Sequence, residues 1–587
     1  MHVHHQAHLP VVSGEPGATT PDPRNLCGSL LTPPEAKPME PLPAGHISRA
    51  TLARGARGLR MDDRHDADTL LDWCRTTIAA RAGALRAEAD PAAEQVAGYD
   101  LVVAAGRARA AAALLDAATD DTPATLALVA AGLAAADLTG RPAIGPEPPP
   151  AAVHHALARA TDPVRLDAVG ARTLAEGVPR PLDEDAALIR AGVREHARDR
   201  VAPEAQRIHR EDADVPEWLI RELADLGCFG LSIPEAYGGS LPDTGDRGHA
   251  LQRMLVVTEE LSRASLGAAG SLITRPEMLA GALLEGGTEA QRQRWLPAIA
   301  GGDAMCAIAV TEPDHGSDVA NLTTRARRVA DAGGPDGDWV LDGRKTWCTF
   351  AGRADLILLL ARTGAPGDRH RGLSLFVLEK PPYPGRAWTH EQARGGRLTA
   401  RAIPTIGYRG MHSFDLAIDG LRMPGDAIVG GDEGEGRGFY LQMRAFATGR
   451  LQTVARATGV MQAALDEATA YVRDRHVFGV PLAEQPLTRA KVARMAADLA
   501  AARALGDAAA LRHGNADEGD PGVDAALAKS MACAAAERVT REAQQLHGGM
   551  GYAEEYPVSR LFVDARVLSI FEGADEVLAL KVILPRL

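Results

Sequence analysis

The hydrophobic period of the chain changes twice, and this limits its folds more than any other feature. From about Asp183 to Ala300, apolar residues recur at helical spacing, as in DEDAALIRAGVREHARDRVAPEAQRIHRE, PEWLIRELADLG and LQRMLVVTEELSRAS. From Met305 to Val429 they come in short runs bounded by Gly, Asp and Pro, as in ADLILLLART, GLSLFVLEK and SFDLAIDGLRMP, the signature of strands and turns. After Gly438 helical spacing returns almost to the end, broken at FGVPLAEQP, HGNADEGDPG and HGGMGYAEEYP, as in an antiparallel bundle. The expected class is α+β, mainly α: a helical domain over 183–304, a β domain over 305–430 and a helical bundle domain over 431–587.

Upstream, residues 1–62 are rich in Pro, Gly, His and Arg without periodicity and predict a disordered tail, too polar to offset chain entropy. Its start, MHVHHQAH, groups His2, His4, His5 and His8, but with no carboxylate or Cys beside them no metal site is expected. Residues 63–140 are Ala-rich with Leu, Val and Ile at helical spacing and predict a small N-terminal helical domain with a packing or subunit-contact role. The stretch 141–182, opening with GRPAIGPEPPPAA, predicts a Pro-rich linker that separates this domain from the rest.

Charge narrows the function classes. Lys and Arg total 64 against 77 Asp and Glu, a net charge of −13, which weighs against nucleic acid and anionic membranes as partners. A negatively charged substrate must therefore meet a local cationic pocket. Six cysteines (Cys27, Cys74, Cys228, Cys306, Cys348, Cys533) show neither a CxxC pair nor metal-ligand spacing, which suits reduced thiols. With no signal-like segment and no long uncharged apolar run, a cytoplasmic, soluble protein is expected.

Four segments stand in one order: TEPDHGSD (311–318), GRKTWCT (343–349), DRHVFG (474–479) and QLHGGMGYAEEYPVSRLFVDARVLSIFEG (545–573). Together they resemble the acyl-CoA dehydrogenase family over residues 183–587. The resemblance implies that family's fold, with a β-barrel middle domain and a C-terminal four-helix bundle, here carrying an extra N-terminal helical domain. It also implies FAD as cofactor, an acyl-CoA substrate and electron-transferring flavoprotein as electron acceptor. In the family the T-E-P-x-x-G-S-D loop runs beside the flavin, which implies that Thr311 and Ser317 hydrogen-bond the isoalloxazine edge and the pyrophosphate, with Gly316 letting backbone N–H groups approach phosphate. Trp347 and Thr349 match the pair that covers the flavin and bonds its hydride-accepting nitrogen; alone, Trp347 reads as a core aromatic. Arg475, Phe478, Gln545, Gly548 and Gly549 match residues that reach a neighbouring subunit's FAD, which implies a homodimer or homotetramer, although HGGMG also reads as a helix C-terminal break.

Desaturating an acyl thioester removes a proton from the α carbon and a hydride from the β carbon, so a carboxylate must face the flavin across the substrate. By resemblance this base is Glu572 in IFEG. A minority of the family places it on the bundle helix just before an Arg, but here Gly449 precedes Arg450, and glycine cannot abstract a proton. Ala574 and Glu576 stand where the family usually has Thr and Gln contacts to FAD, so Glu576 is a contact of altered type, and Met411 replaces a usual Ser. A flavin monooxygenase on this fold generally lacks the base, and a cofactor-free scaffold has no need of the TEPDHGSD loop with Trp347 and Thr349.

The IGYRGM and FEGADE variants, the TR of SLITRPEM and the N-terminal helices resemble a branch acting on a short branched diacid thioester, whose second carboxylate is attached to the β carbon. Buried unpaired, that group is costly. The resemblance lines the acyl pocket with Phe446 and Arg450 of the bundle helix and with Ala269, Gly270 and Ile273 of a pocket-floor helix. Glutaryl-CoA enzymes carry an Arg where this chain has Ala269, so the expected cation is Arg275 or, second, Arg409, with Tyr408 beside it. The other reading of Arg275 is a surface arginine before Pro276.

Overall fold

The computed structural model describes residues 60–87, 91–145, 147–242, 247–329, 337–514 and 520–587. The expected tail, its histidines and Cys27 lie outside them, except that its last residues open the first helix, α1 (Arg60–Ala87). Then come α2 (Pro91–Asp116), α3 (Asp121–Thr139), α4 (Ala151–Ala160) and α5 (Pro163–Glu176). The last two correct the expected linker. Proline there starts helices rather than breaking them: Pro150 precedes α4, and Asp162, whose carboxylate accepts from Val164 N at 2.9 Å, caps α5 ahead of Pro163 at its first position.

The helical region before the sheet comprises α6 (Glu184–His196), α7 (Ala202–Glu211), α8 (Glu217–Asp225), α9 (Arg247–Ala264), α10 (Thr274–Gly286) and α11 (Glu289–Ala300). After it come α12 (Gly438–Asp474), α13 (Pro486–Gly514), α14 (Pro521–Leu546) and α15 (Pro557–Leu568). Residues 60–587 form one unit, and one hydrophobic core runs from Ala67 of α1 through Leu128 of α3, Leu261 of α9 and Leu499 of α13 to Leu568 of α15. The N-terminal helices are thus packed into the bundle rather than held on a tether. Helix α5 lies so close to α13 that a Cβ on Gly170 would stand 2.0 Å from the Arg489 carbonyl oxygen. Helix α2 packs at the other end of the chain, where Val102 shares a small core with Leu527, Leu578 and Ile583.

The middle of the chain forms a mixed sheet of β1 (Cys306–Ala309), β2 (Arg325–Val329), β3 (Asp338–Thr349), β4 (Leu356–Arg362), β5 (Leu373–Glu379), β6 (Ala387–Glu391), β7 (Arg397–Ile403) and β8 (Ser413–Met423). The order is β1-β4-β2-β3-β8-β7-β6, with β5 on β4. Strand β7 alternates exposed and buried residues, as one solvated face requires, whereas every residue of β4 is buried. Ile357 and Leu359 point into the sheet's own core with Phe376, and Leu356 and Leu358 meet Leu283 of α10, Leu296 of α11 and Leu441 of α12. The sheet is therefore clamped to the helices that build the site.

Helix α3 is long and apolar enough to cross a membrane by length and composition, but Leu126, Val129 and Leu138 are among its residues buried in this core. The five described cysteines are buried and unpaired, and burial pushes the thiols of Cys74, Cys228, Cys348 and Cys533 up to about 12. Among the described residues no His, Cys, Asp and Glu cluster has the makings of a metal site.

Candidate active site

The turn between α15 and the chain's last helical segment carries Glu572 in left-handed backbone, φ 56°. Lys529 of α14, itself buried, pins this turn by donating to the Gly573 carbonyl at 2.8 Å and to Asp575 at 3.0 Å. The Glu572 carboxylate points into the protein. Arg456 Nη2 donates to its Oε1 at 2.6 Å, Arg275 Nη1 lies 3.4 Å from the same oxygen, and the Thr453 hydroxyl donates to Oε2. Arg456 is braced in turn by Ser271 Oγ at 3.3 Å and by the Phe571 ring, 4.7 Å below its guanidinium. Burial alone would raise the Glu572 pKa, but the Arg456 and Arg275 guanidinium groups outweigh it and hold the carboxyl below its usual range.

Arg275 is buried, which excludes the surface reading, and its Nη2 donates to the Tyr408 hydroxyl at 3.1 Å. Tyr408 is itself placed by its backbone N–H, which donates to Asp564 at 2.7 Å, and by the edge of its ring against Phe571. Arg409 is a correction: its guanidinium turns away, donating to the His209 carbonyl at 2.6 Å and to Thr405 O, and ties the loop to α7. Arg450 is buried beside Glu572 with its Nε unpartnered, and burial lowers its pKa. Gly449 also adjoins the base, since a Cβ there would lie 3.6 Å from Glu572 Oε2 and 2.5 Å from Met278 Cε.

Ala269 and Ile273 are fully buried, but not on a continuous helix: α9 stops at Ala264, a π turn spans Leu266–Gly270, and α10 starts at Thr274. That break brings Ser271 to Arg456 and Arg275 to Glu572. Phe446 is half-buried on α12 against the core shared by sheet and helices. Sequence reading passed over Arg456, Thr453 and Lys529. The available signal was the spacing of Gly449, Thr453 and Arg456 by four and three residues, which sets them on one face of a helix.

The expected cofactor residues fall on two sets of elements. On the sheet, the β3–β8 ladder shifts register between Lys345 and Cys348, and this bulge leaves Trp347 at φ 57° and 55 % exposed. Thr349 shares a hydrogen bond with Ser413 Oγ at 2.9 Å, and the Thr311 carbonyl accepts from Thr346 N at 2.9 Å. The loop holding Thr311, Gly316 and Ser317 is anchored by Glu312, which accepts from Thr323 N at 2.7 Å, Thr324 N at 2.8 Å and Lys345 Nζ at 3.0 Å. Burial opposes ionisation of Glu312, yet Lys345 and these donors bring its pKa down to about 2. In the bundle, Arg475, Gln545, Gly548 and Gly549 line an open groove of about 840 Å³, with Phe478 97 % exposed and Glu576 exposed on the final helical segment. Gly548 is left-handed just beyond α14, so it also ends the helix.

Family models for the acyl-CoA dehydrogenase N-terminal, middle and C-terminal domains match residues 183–303, 307–420 and 436–586. The (2S)-methylsuccinyl-CoA dehydrogenase of Cereibacter sphaeroides is 41% identical over 398 residues, 68% of this chain and 69% of that protein. Among solved structures, butyryl-CoA dehydrogenase from Megasphaera elsdenii superposes with a TM-score of 0.60 at 29% identity over 68% of this chain and 97% of that one. A Mycobacterium smegmatis glutaryl-CoA dehydrogenase in complex with FADH2 gives 0.56 at 27% identity, over 68% and 93%.

Proposed function

The chain belongs to the acyl-CoA dehydrogenase family and is an FAD-dependent oxidoreductase acting on an acyl-CoA, and from that premise we propose that its substrate is (2S)-methylsuccinyl-CoA, oxidised to mesaconyl-CoA as in the ethylmalonyl-CoA route. One observation carries the choice of a diacid. Three buried guanidinium groups, Arg275, Arg450 and Arg456, stand around a single carboxylate, Glu572. An uncharged acyl chain leaves that excess positive charge buried and unmatched, whereas a second carboxylate neutralises part of it.

The residues present fit the flavin cofactor: an aromatic face left open at Trp347 beside Thr349, and a groove lined by Arg475, Gln545 and two glycines. FAD, when bound, supplies the acceptor for the hydride that leaves the β carbon. Thr311, Gly316, Ser317, Trp347 and Thr349 would hold it from one protomer, and Arg475, Phe478, Gln545, Gly548, Gly549 and Glu576 from a second copy, so we read the protein as a homodimer or homotetramer. The rest of the chemistry is the chain's own. Glu572, kept ionised by Arg456 and Arg275, takes the α proton, and Thr453 and Arg456 grip its two oxygens so that it cannot turn away. The missing side chain at Gly449 lets Met278 pack beside the base, since a Cβ there would stand 2.5 Å from Met278 Cε.

By the same resemblance the electrons pass to electron-transferring flavoprotein. The unpaired buried thiols support a reducing compartment, which we take to be the cytoplasm. Anaerobic titration of the oxidised protein with methylsuccinyl-, butyryl-, isobutyryl- and glutaryl-CoA, followed by flavin bleaching, tests the reading. Methylsuccinyl-CoA should bleach the flavin at the lowest concentration, and bleaching by butyryl-CoA with none by methylsuccinyl-CoA would overturn it.

A further inference from the structure

Arg275 stands between two partners of unequal kind. Its Nη1 is 3.4 Å from Glu572 Oε1, longer than a good charge-assisted hydrogen bond, and its Nη2 rests on the hydroxyl of Tyr408 at 3.1 Å. Arg456 holds the same Glu572 oxygen at 2.6 Å and is tied down by Thr453 at 2.5 Å and Ser271 at 3.3 Å. Of the two cations on the base, one is fixed and the other is free to change partners. We propose that the second carboxylate of the substrate takes Arg275 away from Glu572, so that the base gains strength only when a diacid thioester is bound. This rests on the diacid reading above.

The exchange follows from the chemistry of the groups. A guanidinium fork matches a carboxylate through two parallel hydrogen bonds, a better partner than one distant oxygen and a phenol. Arg275, Glu572 and Tyr408 are already buried, so on the protein's side the trade adds little desolvation. With Arg275 gone, burial of Glu572 is offset only by Arg456 and the Thr453 hydroxyl, and its proton affinity rises, which favours abstraction of the α proton. Arg450 has no bond to Glu572 to give up. With an uncharged acyl chain Arg275 stays in place and the base stays weak. Selection then operates through rate as well as affinity, and a neutral competitor that fits the pocket is turned over slowly.

The groups facing Glu572 are Arg275 from α10, Arg450, Thr453 and Arg456 from α12, Lys529 and Cys533 from α14, Tyr408 from the β7–β8 loop, and Asp575 beyond the turn. Cys533 is pushed up to about 12 and stays protonated. Asp575 and Glu277, raised by burial, the latter to about 7, also titrate, but neither contacts Arg275, so both contribute a background common to any ligand.

The test is proton uptake on binding, measured with a pH indicator on the flavin-loaded protein from mildly acidic to neutral pH. The probes are two CoA thioethers without an acidic α proton, S-(3-carboxy-2-methylpropyl)-CoA and its uncharged counterpart S-(2-methylbutyl)-CoA. A base whose pKa rises on binding takes up protons. Uptake should therefore be a substantial fraction of a proton per site with the diacid analogue in excess of that with the uncharged one, and Arg275→Gln should abolish the excess. In turnover, Arg275→Gln should lower the diacid rate about tenfold to a hundredfold and raise that of butyryl-CoA. Equal uptake with both analogues in the wild-type protein, which needs no variant, overturns this assignment and leaves the diacid reading standing. Failure of the diacid analogue to bind at all overturns both.

Discussion

Glu572 occupies a left-handed conformation that costs an L-residue roughly 1–2 kcal/mol, and the Lys529 clamp on Gly573 and Asp575 offsets it. Replacing the carboxylate tests its role directly: Glu572→Gln should retain flavin and bind substrate while the stopped-flow rate of flavin reduction falls by several orders of magnitude. Because its pKa in the free protein is lowered, the acid limb of the second-order rate constant for flavin reduction at low substrate, which reports the free enzyme, should lie below that of an ordinary carboxylate, and Arg456→Gln, which removes the strongest opposing charge, should move that limb to higher pH. Glu312 gives a stability counterpart. Its pKa of about 2 is depressed, so its contribution is present above the ordinary carboxylate pKa of 4.5 and is lost as pH falls toward about 2. Glu312→Gln strands a buried Lys345 and should cost about 3–5 kcal/mol in denaturant unfolding at neutral pH, with a smaller difference from wild type in acid. Glu572 and the TEPDHGSD loop were legible because each lies in a short contiguous motif, whereas the partners of Glu572, namely Arg275, Thr453 and Arg456, lie 297, 119 and 116 residues away and nothing in the sequence pairs them with it. Arg275 and Arg409 looked alike on paper; only the break after α9 and the turn of the loop toward α7 send one into the pocket and the other onto the His209 carbonyl.

Among the elements, the sheet was readable from its short apolar runs, and the bulge at Trp347 was not. A register shift has no local signature in GRKTWCT, because it is imposed by the facing strand, where Phe414 pairs with Cys348 and Leu416 with Lys345. The stretch 141–182 misled for the opposite reason. Its density of proline reads as a linker, but Pro150 and Pro163 fall at helix starts, so α4 and α5 were hidden by their own first turns. The fit of α5 against α13 makes this checkable. With 2.0 Å between a Cβ on Gly170 and the Arg489 oxygen, Gly170→Ala should force the helices apart and destabilise the protein by about 1–3 kcal/mol in denaturant unfolding.

For the molecule as a whole, a core continuous from α1 to α15 means that the N-terminal helices are not a detachable appendix. A fragment starting at residue 183 uncovers apolar residues of α13 and α14 and should be insoluble or aggregated on size exclusion, whereas a fragment lacking only residues 1–59 should stay soluble and reduce its flavin with substrate. The junction of Val102 with Leu578 and Ile583 also bears on how the protein is made. Helix α2 leaves the ribosome long before the segment it grips, which follows directly on the turn of Glu572, since 476 residues separate Val102 from Leu578. Contacts of such sequence separation form slowly, and the apolar side of α2 must wait for its partner while that whole length is made. The catalytic turn therefore acquires its support late, and a nascent chain in which α2 is still uncovered is exposed to aggregation.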